Sequence, residues 1–302
     1  IVEYVLTDKV PRIKDKPLIK SVVPDKIWIS NRKKQEDAQV RLFCFPYGGG
    51  GASIYRGWQQ SFPDSIEVCP IQLPGRENRM EEKPLDNINT LVELLAYHLN
   101  PKFNLPFAFF GHSFGSLVAF ELTRYLRRNN LPQPVQLFTS AYPDPRMPSN
   151  SLNNLLVSLN KMDLNLFDLT EELMQQLSDK QLRDLSSVFQ ENGIVDYSDE
   201  RMNQSIVKVL LPIFVGDMKI VKNYRYYEEP ALKIPLTVFL GAQDNWVSSE
   251  DMMGWADHSL IRCDFTEFDS GHLFIREKEI REQVIHKIAL HLRRFTAEVC
   301  DN

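Results

Sequence analysis

The sequence predicts an α/β fold, a mostly parallel central sheet flanked by helices with a helical lid inserted before the last strands. Three observations carry this prediction. Short apolar runs bounded by Pro or Gly recur along the chain, helix-like stretches separate them, and the alternation stops between about Pro143 and Pro230.

The first run, Val40-Arg41-Leu42-Phe43-Cys44-Phe45, ends at Pro46 and a glycine cluster. Ile66 to Ile71, Phe107 to Phe110, Val135 to Thr139 and Leu236 to Leu240 repeat the design, and Ile261 to Phe268 is a sixth strand candidate. Strands covered on both faces read as continuous apolar runs, as a parallel sheet requires. Ile88 to Leu99 and Ser116 to Arg128 supply the intervening helices. A last helix starts near Lys278, where Ile280, Val284 and Ile288 share a face. Inside the interruption, Leu152, Leu155, Leu156 and Leu159, then Ile206, Val209, Leu210 and Ile213, recur at helical spacing. The expected organisation is an N-terminal arm or linker over 1–39, a core formed by 40–142 and 231–302, and a helical lid over 143–230.

Composition narrows the function classes. In 302 residues, 43% are hydrophobic and 25% charged, ordinary values for a globular protein in water. A net charge of −5, with bases scattered among acids, offers no field for a polyanion, so nucleic acid is not an expected partner. No run of about 18 apolar residues suggests a membrane span. Cys44, Cys69, Cys263 and Cys300 are widely spaced, and no CxxC or HExxH pattern offers metal ligands. Buried reduced thiols, a cytoplasmic location, a monomer and no bound cofactor or metal are the corresponding expectations.

Chemistry is signalled at Gly111-His112-Ser113-Phe114-Gly115, a GxSxG pattern. The bare pattern also arises by chance. Its weight comes from the strand before it and the helix after it, because a serine on a sharp strand-to-helix turn needs neighbours without side chains. Such a turn exposes the serine oxygen beside a helix N-terminus, where developing negative charge is favoured. A serine hydroxyl attacks only when an imidazole takes its proton and an acid orients that imidazole. In the α/β-hydrolase fold the chain order is Ser, acid, His. Of six histidines, His258 and His272 lie downstream outside the final helix; His272, in the loop after the last strand, is preferred on placement. Asp244, just beyond strand Leu236 to Leu240, is the preferred acid. Its rival is Asp144, which follows Val135 to Thr139 between two prolines. Pro46-Tyr47-Gly48-Gly49-Gly50-Gly51 lacks the spacing of a phosphate loop or a dinucleotide fold. Its place suits an oxyanion hole, for which the Gly48 amide with that of Phe114 is the candidate pair; a glycine turn that merely reverses the chain is the alternative.

Leu42-Phe43-Cys44-Phe45-Pro46-Tyr47-Gly48-Gly49-Gly50, Gln72-Leu73-Pro74-Gly75-Arg76-Glu77-Asn78-Arg79, the GxSxG turn and Gly271-His272 together resemble the type II thioesterases that accompany polyketide and nonribosomal peptide synthetases. The resemblance runs from about Val40 to the final helix. Its discriminating part is Leu-Pro-Gly-Arg-Glu, which ordinary esterases do not usually carry. It implies hydrolysis of acyl groups from phosphopantetheine arms of acyl or peptidyl carrier protein domains, and it places the acid at Asp244. A terminal releasing or cyclising thioesterase domain is the alternative within the fold. A hydrolase-shaped binding protein without catalysis is the alternative outside it.

Overall fold

The computed structural model describes residues 28–30, 35–147, 165–191, 193–195 and 200–296, with side chains from 205 in the last segment. Six strands, β1 (Val40–Phe45), β2 (Ile66–Pro70), β3 (Phe107–His112), β4 (Gln136–Ser140), β5 (Leu236–Gly241) and β6 (Cys263–Phe268), form one sheet in the order β2-β1-β3-β4-β5-β6. All five pairings are parallel. Every predicted strand is present, with ends displaced by at most two residues. The reversal of strand order beside β1 and β3 places the loops after those strands at one crevice, where ligands of open α/β sheets collect.

The sheet is buried on both faces because its strands alternate apolar residues on each side. Phe43, Phe45, Phe107 and Phe109 face a core shared with α1 (Ile88–Leu99) and α2 (Phe114–Arg128). Leu42, Cys44, Ala108 and Phe110 face the opposite core, closed by α7 (Lys278–Leu292) through Val284, Ile285 and Ile288. A local signal fixes the start of α1, where the Asn87 side chain accepts the Thr90 amide at 3.1 Å and caps the helix. Strand β6, at one edge, is half-buried, which explains its Asp264 and Glu267. At the other edge Ile29 bridges Ile71 antiparallel, and buried Trp28 lies under the Arg79 guanidinium at 4.2 Å. Trp28–Ser30, within the predicted arm, thus finishes the sheet.

Between β4 and β5 the described residues contain no strand, a 3-10 turn (Leu166–Asp168) and three α-helices: α3 (Glu171–Gln175), α4 (Asp179–Glu191) and α5 (Glu200–Asn223). A short α6 (Ser249–Met253) follows β5. The insertion has its own core, in which Leu182, Leu185 and Phe189 of α4 meet Val207, Leu211, Phe214, Val215 and Met218 of α5. Of the stripe expected on α5, Ile206 and Leu210 pack half-buried against that core and Ile213 is buried, but Val209 is 52% exposed and the face is completed instead by Val207 and Leu211. The helix is apolar on more than one side, because Ile220 packs into the main core while Val207 and Phe214 pack into the insertion. Periodicity alone could not choose between those sides. Leu152, Leu155, Leu156 and Leu159 lie outside the described residues, as does Cys300.

Among the described residues no helix is long and apolar enough to cross a membrane, and no cluster of His, Cys, Asp or Glu could hold a metal. Cys44, Cys69 and Cys263 are free thiols. Burial pushes the Cys44 thiol well above its usual range, and burial with the nearby Asp264 charge pushes Cys263 up to about 12, so both stay protonated and inert.

Candidate active site

Ser113 stands between β3 and α2 with φ +51° and ψ −123°, a conformation that L residues rarely adopt and that costs of order 1–3 kcal/mol. Its neighbours explain why the turn can close. A Cβ on Gly111 would sit 2.2 Å from the Gly115 carbonyl oxygen, and one on Gly115 would sit 2.2 Å from that of Phe45. The Ser113 amide donates to the Ser140 carbonyl at 2.7 Å, so it is occupied in holding the turn to β4. Ser116 secures the same junction, its hydroxyl lying 2.8 Å from the Gly111 carbonyl and accepting the Ser140 amide at 2.9 Å.

The structure brings Ser113, His272 and Asp244 into one line. His272 Nε2 lies 2.9 Å from Ser113 Oγ, and its Nδ1 lies 2.8 Å from Asp244 Oδ2. A carboxylate only accepts, so Nδ1 carries the proton and Nε2 presents its lone pair to the serine hydroxyl. Asp244 is itself fixed, because its Oδ1 accepts the amides of Trp246 and Val247 at 2.7 and 3.0 Å. Gly48 and Phe114 are also adjacent: a Cβ on Gly48 would lie 3.8 Å from Phe114 Cβ. Phe114 opens α2, where a backbone amide has no partner within its helix.

Two supporting residues had not been singled out from the sequence. His112 is fully buried, with Nδ1 2.8 Å from Ser140 Oγ and Nε2 2.9 Å from the His272 carbonyl oxygen. That carbonyl can only accept, so Nε2 of His112 bears the proton and holds the His272 loop in place. Burial, then the neighbouring His272, keeps the His112 imidazole well below the usual histidine range and hence neutral. Trp246 stacks on the His272 ring at 4.6 Å between centroids and 22° between planes. The spacing within GxSxG marks His112 as the neighbour of Ser113; no local pattern marks Trp246.

The rival candidates also meet, but they meet each other. Asp144 Oδ1 lies 2.8 Å from His258 Nε2, while Arg146 donates to both Asp144 oxygens and reaches Asp257 at 2.7 Å. The aromatic rings of Phe120, Trp255 and Tyr226 surround His258. Burial would raise the Asp144 carboxyl, but the bonds from His258 and Arg146 outweigh it and hold the group well below the usual carboxylate range. A lowered folded value stabilises the protein above the unfolded value of about 3.9 and ceases to do so as pH falls through the folded one. Asp144→Asn is therefore expected to cost about 2 kcal/mol at pH 7, with the gap to wild type narrowing from pH 5 toward pH 2. Urea unfolding across that range checks it; a constant gap would refute it.

Ser113 opens into an apolar pocket lined by Tyr47, Gly48, Trp246 and Leu273 and, from the insertion, by Ile194, Phe214 and Met218. Its free volume is about 20 Å³, room for about one water. An acyl chain can enter only if side chains that line this pocket move.

Sheet, nucleophile turn and relay define a protein of the α/β-hydrolase fold. The thioesterase-domain family model matches residues 40–291, through the insertion, and the chain belongs to the thioesterase family, serine hydrolases that act on thioesters. It is 35% identical to the gramicidin S biosynthesis protein GrsT of Aneurinibacillus migulanus over 252 residues, 83% of this chain and 89% of that protein. It is 32% identical to the medium-chain S-acyl fatty acid synthase thioesterase of Homo sapiens over 260 residues, 83% of this chain and 88% of that enzyme. Among solved structures, RedJ, a thioesterase from the prodiginine pathway of Streptomyces coelicolor, superposes with a TM-score of 0.71 at 28% identity, covering 86% of this chain and 88% of its own. The resemblance read from the motifs is borne out.

Proposed function

We propose that this thioesterase hydrolyses acyl groups from the phosphopantetheine arms of carrier-protein domains in a peptide or polyketide synthetase, clearing stalled or misloaded chains. The observation that carries the reading is the unbroken Ser113–His272–Asp244 relay, opening on an apolar pocket, in a chain whose relatives include GrsT and RedJ. Ser113 Oγ bonds to the thioester carbonyl carbon while its proton passes to His272 Nε2, and Asp244 stabilises the imidazolium. The amides of Gly48 and Phe114 receive the oxyanion. As it collapses the carbon–sulfur bond breaks, and His272 returns the proton to the departing sulfur. Water, deprotonated by the same histidine, then attacks the acyl-enzyme, releasing the acid and restoring Ser113. The insertion acts as a lid whose closure sets the length of acyl chain admitted. No cofactor is needed beyond the arm carried by the partner.

The test is a parallel assay of acyl-carrier thioesters and the matching oxygen esters. A preference of at least tenfold in kcat/KM for the thioester is expected. Equal rates would mark a general esterase, and cyclic product from a peptidyl thioester would mark a releasing domain. A fluorophosphonate probe should label Ser113; an unlabelled protein would remove covalent catalysis from the account.

A further inference from the structure

Arg76 and Asp217 form a buried ion pair that no step of the hydrolysis uses; their side chains are 3% and 1% exposed. Arg76 belongs to the Leu-Pro-Gly-Arg-Glu segment, and Asp217 lies in α5 between Gly216 and Met218. The pair is bidentate, with Nη2 to Oδ1 at 2.8 Å and Nη1 to Oδ2 at 3.0 Å. Burying two charges is costly unless their remaining hydrogen-bonding capacity is used, and here it is used on the glycine loop after β1. Asp217 Oδ2 accepts the Gly49 amide at 2.8 Å, and Arg76 Nη1 donates to the Gly50 carbonyl at 2.9 Å. The Gln72 side chain ties the two loops together, donating to the Arg76 carbonyl at 2.7 Å and accepting the Ala52 amide at 2.7 Å.

The geometry of the loop gives these contacts their consequence. Gly50 donates to the Tyr47 carbonyl at 2.9 Å, closing a turn that needs the +78° φ of Gly49. The Tyr47 carbonyl and the Gly48 N–H share one rigid peptide plane, so that bond sets where the Gly48 amide points. The next plane is set by the Gly49 bond to Asp217, and the position of Gly50 by its bond to Arg76. None of these bonds uses the Gly48 N–H. The same helix brings Met218 and Phe214 against the pocket beside Ser113.

We propose that Asp217 and Arg76 are positioning residues for the oxyanion hole, holding the Gly48 amide toward the reacting carbonyl only while α5 is seated on the glycine loop. The proposal rests on Ser113 as the nucleophile and on Gly48 as an oxyanion donor. It makes the seating of the insertion a condition for chemistry as well as a wall of the pocket.

The decisive variant is the pair Arg76→Met with Asp217→Leu, which removes both charges together and so leaves neither one buried alone. On an acyl-carrier thioester its kcat should fall about 10²-fold, with KM within about threefold of wild type, since the donor is misplaced and the pocket is kept. Affinity for an alkyl boronic acid, which Ser113 Oγ converts to a tetrahedral anion, should fall by about the same factor as kcat. Arg76→Met with Asp217→Asn, which restores an acceptor for the Gly49 amide, should return kcat to within about tenfold of wild type. The proposal is overturned by a folded Met/Leu variant with kcat within about threefold of wild type, by a loss of kcat without loss of boronate affinity, or by an Asn variant no better than the Leu one. Should the Met/Leu pair not fold, Arg76→Lys carries the test: it keeps the charge but not the forked contact, a fall of about tenfold in kcat is expected, and an unchanged kcat overturns the proposal. Ser113→Ala measured alongside separates the two readings. If it keeps activity, the nucleophile assignment has failed; if it abolishes activity while the paired variants are unaffected, only the positioning role has failed.

Discussion

Ser113→Ala and His272→Ala are each expected to lower kcat on an acyl-carrier thioester by about 10⁶-fold. Alanine at 113 leaves no oxygen to bond the carbonyl carbon. Alanine at 272 leaves the hydroxyl 2.9 Å from nothing that could take its proton. Because the two residues perform one proton-coupled step, the double variant should be no slower than either single one. Residual hydrolysis of about 10³-fold over water should survive through binding and the oxyanion donors. Neither change is expected to unfold the protein, since Ser113 is only half-buried and alanine keeps the Cβ and so leaves the backbone of the turn as strained as before. A burst experiment with a chromogenic thioester measures the acylation rate. Retention of more than about a hundredth of wild-type kcat in either variant would contradict the relay.

The parts of this site that were legible in the sequence are those fixed by neighbours in the chain. The nucleophile turn is local, since Gly111 and Gly115 are required by a collision within five residues and with the strand beside them. Strands were legible because both faces of the sheet are covered, which makes Leu42 to Phe45 of β1 and Phe107 to Phe110 of β3 unbroken apolar runs. His272 and Asp244 could be ranked because each follows a strand on the side of the sheet where the loops gather. What was not legible depends on contacts between distant segments. Asp217 meets Gly49 across 168 positions, and nothing near it distinguishes it from a solvated helical carboxylate. Trp246 lies two residues beyond Asp244, yet its stacking on His272 depends on how the loop after β5 folds back. Asp144 and His258 had the right residue types and plausible places, and only their mutual 2.8 Å contact shows that they satisfy one another.

Asp244→Asn is expected to lower kcat by roughly 10⁴-fold while leaving the fold intact. The reason lies in the two oxygens of the carboxylate. Oδ1 accepts the amides of Trp246 and Val247, so an asparagine keeps those bonds by placing its carbonyl oxygen there. Its NH2 group then occupies the position of Oδ2, 2.8 Å from His272 Nδ1. A donor at that position requires Nδ1 to accept, which moves the imidazole proton to Nε2 and turns a hydrogen toward Ser113 instead of a lone pair. The base is thus in place but in the wrong tautomer, and the imidazolium formed during attack has lost its counter-charge. Asp144→Asn provides the contrast, since its side chain is spent on His258 and Arg146: stability should fall and kcat should stay within about threefold. Measuring kcat and urea midpoints for both variants separates the two carboxylates, and a larger loss of kcat in Asp144→Asn than in Asp244→Asn would transfer the role of acid to the loop after β4.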